Sequence, residues 1–135
     1  MKVSQIILTI VALLYIVAPP IVDFNPSHAV HPEWTPHARF HAVWLVITNC
    51  MLGLLAVYLI WRRSHAGGQV IAGVISSIVL GSFFLSALAM PLYDGALSDE
   101  GGVAAGPGGL DSNSVLFGVL FLINLVGLFL ASRRG

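Results

Sequence analysis

Four apolar runs separated by short polar interruptions organise this chain. The first covers about residues 3–22, VSQIILTIVALLYIVAPPIV; the others cover about 36–61, 69–92 and 112–132. Each reaches the roughly 20 residues that a helix needs to cross a hydrocarbon core of about 30 Å. Backbone N–H and C=O groups in lipid must satisfy one another, so these runs predict helices. The alternating pattern of a barrel strand is absent. The expected fold class is therefore all-α: one transmembrane domain over 1–135, built as a four-helix bundle, with connections at 23–35 and 93–111.

Composition supports the membrane reading. The chain is 57% hydrophobic and only 9% charged, and its mean hydropathy is +0.91. A soluble domain carries about a quarter charged residues. The first run is read as a retained helix rather than a signal peptide. It exceeds the h-region of about 7–15 residues, and no A-x-A-like site follows it. Cys50 is the lone cysteine, so neither an intrachain disulfide nor a cysteine-based metal centre is available. Net charge is zero, and nothing points to nucleic acid. The glycine-rich GGVAAGPGG lacks the lysine and the preceding strand of a phosphate-binding loop, so no nucleotide is expected.

Charge placement orients the bundle. With four crossings, Lys2, Arg62–Arg63 and Arg133–Arg134 fall on one side, and the positive-inside rule makes that side cytoplasmic. Asp23, Glu33, Asp94, Asp99, Glu100 and Asp111 fall on the other side or at its edge. The expected location is the inner (plasma) membrane, with both termini cytoplasmic (N-in, C-in). Phe24, Trp34 and Tyr93 then lie at the outer boundary, and Tyr58 and Trp61 at the inner one, as interfacial aromatics do.

Two features suggest how the helices pack. Gly73, Ser77 and Gly81 recur every four residues, a small-residue stripe that lets backbones approach in lipid. Ser82 and Ser86 form a second stripe beside it. Asn49 and Asn124 sit inside helices 2 and 4; each is expected to bond across helices, with the other among the candidate partners. A homo-oligomer or a larger membrane complex would use the same stripes. The outer segment 94–111 is a glycine-rich acidic connector, with a lid or metal-contributing role as the alternative.

The chemistry concentrates in HPEWTPHARFH, which holds His31, His37 and His41, with His28 just upstream. Thr35-Pro36 is a helix start signal: a capping hydroxyl, then proline at the first helical position. His37 and His41 then share one helix face, one turn apart. Two imidazoles at that spacing can bind a single metal ion. The sequence HARFH lacks the glutamate of HExxH, so a metalloprotease is not indicated. His37 lies in the first turn, where the helix dipole disfavours added positive charge and favours neutral imidazole.

The expected metal set is His28, His31, His37, His41 and Asp23, suited to zinc, copper or non-haem iron as a divalent cofactor. Alternatively His37, His41 and Glu33 act as catalytic acid and base. Arg39, Trp44, Thr48 and Asn49 are the expected substrate-facing residues. Arg39, badly placed for the dipole, should need a carboxylate partner: Glu33, Asp23 or the outer loop. His65 lies apart from the others and reads as an ordinary loop residue.

The stretch NPSH…HPEWTPHARFH resembles a signature of small four-helix bacterial membrane proteins; the likeness covers the first outer connection and the start of helix 2. It implies fold and location and assigns no activity. In size and topology the chain is also loosely similar to DoxX-like proteins and to the EXPERA group of sterol-isomerase-like membrane proteins. The latter use acidic and histidine side chains in a membrane cavity, whereas the acids here flank the apolar runs.

Three functions follow as expectations. The first is a small membrane enzyme acting on a lipid-soluble substrate that enters near Trp44 and Thr48. The second is an accessory subunit of a membrane complex. The third is an outward-facing metal-binding protein. Transport is less favoured, because no ionisable residue sits at mid-membrane.

Overall fold

The computed structural model describes residues 2–26, 28–62, 67–97 and 110–133. Arg63, His65, Asp99, Glu100 and Arg134 lie outside the described residues, as does most of the acidic connector with its alternative role as lid or metal contributor. Among the described residues four α-helices form: α1 (Val3–Asp23), α2 (Pro36–Trp61), α3 (Gly68–Ala89) and α4 (Ser112–Ser132). A single 3-10 turn, Met90–Leu92, extends α3. Each helix is long and apolar enough to cross a membrane.

The helices form a ring in which α1 and α3 each contact both α2 and α4, and α1 meets α3 across the centre. Sequence neighbours run antiparallel. At the start of α1, the Gln5 amide donates to the Ile60 carbonyl at the end of α2 (3.4 Å), and Ser4 donates to Gln69 Oε1 (2.7 Å). The Trp61 indole N–H donates to Thr9 Oγ1 at 3.1 Å. Near the end of α4, Gly127 abuts Ile7 and Leu8. The starts of α1 and α3 and the ends of α2 and α4 therefore share one end of the bundle. The α1–α2 connection and the start of α4 occupy the other.

Leu8, Val11, Ala12 and Tyr15 form the buried stripe of α1 at helical spacing. They pack against Ala56, Ile60, Ala72 and Leu80. Only 22–28% of the 18-residue apolar stretch of each span is buried, and the exposed positions of the spans include Ile10, Leu45, Leu54, Ile78, Leu85 and Leu122. In water such a surface would aggregate, whereas in lipid it is the solvated surface. The chain is thus built as a multi-pass membrane protein.

Without a hydrophobic drive between helices in lipid, close approach matters. A Cβ on Gly73 would lie 2.9 Å from Leu128 Cδ1, and one on Gly81 would lie 3.5 Å from the Phe121 ring. Between them Ser77 meets Asn124, so the predicted small-residue stripe is the α3–α4 seam. Asn124 does not bond Asn49. Its amide donates to the Gly73 carbonyl and to Ser77 Oγ, both at 2.9 Å. The ring order explains the difference, because α2 and α4 stand on opposite sides of the bundle.

Pro19 and Pro20 lie inside α1. Pro20 has no N–H to donate to the carbonyl of Ile16, four residues back. The Cys50 thiol of α2 lies 3.3 Å from that oxygen and donates to it instead. The lone cysteine is a cross-helix donor that compensates for a proline.

Candidate functional site

The connection between α1 and α2 is a chain of backbone turns. Ala29 N–H donates to the Asp23 carbonyl (2.8 Å), His31 N–H to that of His28 (2.8 Å) and Trp34 N–H to that of His31 (3.2 Å). Ala29 is buried, and it anchors these turns against the bundle. The helix start is as expected: Pro36 is the first residue of α2, and Thr35 Oγ1 accepts from Ala38 N–H at 3.2 Å. Arg39 differs from expectation. Among the described residues its guanidinium donates to the carbonyls of His31 (2.7 Å) and Pro32 (3.2 Å) and to no carboxylate. Turn carbonyls left without helical partners supply the negative ends it needs, so Arg39 stitches the connection to α2.

His37 and His41 come together. Their Nε2 atoms lie 3.0 Å apart, and the rings meet edge to face with centroids 4.5 Å apart. Both are exposed, and the His41 ring lies 5.8 Å from that of Trp44. His31 is engaged elsewhere, with its Nδ1 accepting from the exposed Glu33's backbone N–H at 3.2 Å. His28 is folded back over the end of α1, where it lines a cavity together with Asp23.

The expected set of His28, His31, His37, His41 and Asp23 is therefore not one shell. Among the described residues, no three of the His, Cys, Asp and Glu side chains form a group that can hold one metal ion. The turns at Ala29 carry His28 toward α1, while the first turns of α2 direct His37 and His41 outward.

Asp23 and His28 line the mouth of a cavity of about 350 Å³ between α1, α3 and α4. Tyr15, Leu80 and Leu120 line its deeper part, where Tyr15 Oη lies 3.2 Å from Ser76 Oγ. Phe83 and Phe117, stacked with centroids 4.5 Å apart, form a wall. Tyr93 and Asn113 join Asp23 and His28 at the mouth. Local structure places these two. The Tyr93 hydroxyl donates to the Ser86 carbonyl at 2.8 Å. Asp94 follows in the left-handed region (φ 53°), which Asp adopts more readily than most residues, and Gly95 N–H donates to the Met90 carbonyl (3.1 Å). A Cβ on Gly95 would strike the Tyr93 ring, so glycine leaves room for it. Asn113 stands in the first turn of α4, which Asp111 caps by accepting from Ser114 N–H at 2.6 Å.

Arg39, Trp44, Thr48 and Asn49 do not line this cavity. Trp44 and Thr48 are exposed on the outside of α2, and Asn49 is half-buried. Sequence reasoning missed Tyr15, Phe83, Tyr93, Asn113 and Phe117. The pre-turn MPLYDG was a usable signal for Tyr93; the phenylalanines read as ordinary helix packing. Compared with protein-family models, curated proteins and solved structures, the chain matches none.

Proposed function

We propose that this protein is a small membrane enzyme that takes a lipid-soluble molecule into the cavity between α1, α3 and α4. The molecule's apolar body packs on Phe83, Phe117 and Leu120, and its polar end meets Asp23 and His28. The observation that carries this reading is the placement of a carboxylate and an imidazole together at the mouth of a mostly apolar cavity. A volume of about 350 Å³ suits a small ligand. An imidazole beside a carboxylate can give or take a proton at the polar end, and Tyr93 and Asn113 supply hydrogen bonds that orient it. In this reading the end carrying Lys2, Arg62 and Arg133 is cytoplasmic by the positive-inside rule. The cavity mouth then opens at the outer surface of the plasma membrane.

The test is to purify untagged protein in nanodiscs, extract it with organic solvent and identify bound small molecules by mass spectrometry. The wild type is expected to carry a lipid-soluble compound that Ala87→Phe, which fills the cavity, excludes. Leu88→Phe, on the exposed neighbouring position, should retain it. His28→Gln should accumulate a compound that differs from that in the wild type in mass or chromatographic retention, namely the unconverted substrate. Equal occupancy in Ala87→Phe would refute the binding site. The same compound in His28→Gln and wild type would refute the acid–base role.

A further inference from the structure

We propose that His37 and His41 form a second, independent site: a two-imidazole seat for one copper(II) ion on the exposed face of α2. The argument is geometric. Their Nε2 atoms are 3.0 Å apart. With metal–nitrogen bonds of about 2.0–2.1 Å, that separation corresponds to an N–metal–N angle of about 95°. Such an angle is the cis angle of a tetragonal site, the geometry copper(II) prefers. Copper(II) also stands at the top of the divalent series for nitrogen ligands.

The two rings share a hydrogen bond, one Nε2–H donating to the other Nε2. When that proton moves to Nδ1 of its own ring, the second Nε2 lone pair becomes free. A rotation about the Cβ–Cγ bond then aims both at one ion, with no net proton released. The pair is exposed at the start of α2, so the remaining positions are open to ligands from outside the protein. Arg39, the nearest cation on the same turn, is tied to the carbonyls of His31 and Pro32. Trp44, 5.8 Å from the His41 ring, is placed to report the ion through quenching of its fluorescence.

The experiment titrates copper(II) into untagged full-length protein in nanodiscs, followed by tryptophan fluorescence and electron paramagnetic resonance. One ion per chain should bind, with hyperfine couplings from two imidazole nitrogens. His37→Gln and His41→Gln should each weaken binding tenfold or more, about 1.4 kcal/mol. Trp44→Phe should leave the affinity intact and remove most of the quenching. Circular dichroism confirms that the variants keep their helices. Unchanged binding in the His37→Gln/His41→Gln double variant would overturn the proposal. Zinc(II) binding as tightly as copper(II) would overturn the tetragonal assignment. Neither result bears on the cavity, whose lining excludes both histidines.

Discussion

Gly53→Ala is expected to loosen the α1–α2 seam and the floor of the cavity together. A Cβ at Gly53 would overlap Ile16 Cγ1 and lie 2.8 Å from Ile16 Cδ1 and 2.9 Å from Tyr15 Cε2. Gly53 is itself buried, so the added methyl has no lipid-facing escape. Overpacking of this kind costs about 1–3 kcal/mol. The better helix propensity of alanine offsets up to about 1 kcal/mol of that. Gly118→Ala isolates the difference, because its Cβ would meet only Phe84 Cζ at an ordinary 3.8 Å. Both substitutions make the same propensity gain, so the gap between them reports the clash: about 1–3 kcal/mol in favour of Gly118→Ala. Displacing the Tyr15 ring also strains its contact with Ser76 at the cavity floor. The assay is reversible unfolding in mixed micelles with a denaturing detergent, followed by far-ultraviolet circular dichroism. If Gly53→Ala proves as stable as Gly118→Ala, the close packing of α1 on α2 is wrong, and with it the position of the cavity floor.

Other outcomes follow from the buried polar contacts. Cys50→Ala removes the donor to the Ile16 carbonyl and should cost about 0.6 kcal/mol, the mean for a cross-helix bond in lipid; Cys50→Ser should restore it. The same unfolding assay checks both. Asn124→Leu loses the two bonds to Gly73 and Ser77 and should cost about 1 kcal/mol. Asn124→Asp, which sets a carboxylate facing a carbonyl inside the bundle, should cost about 3 kcal/mol and show as reduced membrane insertion and yield.

Much of the architecture was legible in the residue order. Apolar length alone predicts four spanning helices, because each hydrogen-bonds within itself and hydropathy is a property of the single segment. Thr35-Pro36 marks the start of α2 for the same local reason, and the HARFH spacing is enough to bring His37 against His41. The Gly73, Ser77, Gly81 stripe announces a close helix contact, though not which helix fills it. Ring order decided that α4 is the partner, and so turned Asn124 toward Gly73 and Ser77 rather than toward Asn49.

Tertiary structure also divided the histidines. His28 and His31 lie close to His37 in sequence, but the turns around Ala29 fold His28 back onto α1 while the first turns of α2 point the pair away. Asp23, His28, Tyr93 and Asn113 meet only because the ends of α1 and α3 and the start of α4 lie together at one end of the bundle. Helix periodicity reports which residues share a face over a few turns. It carries no term for contacts between distant segments, and the candidate cavity is made almost wholly of those.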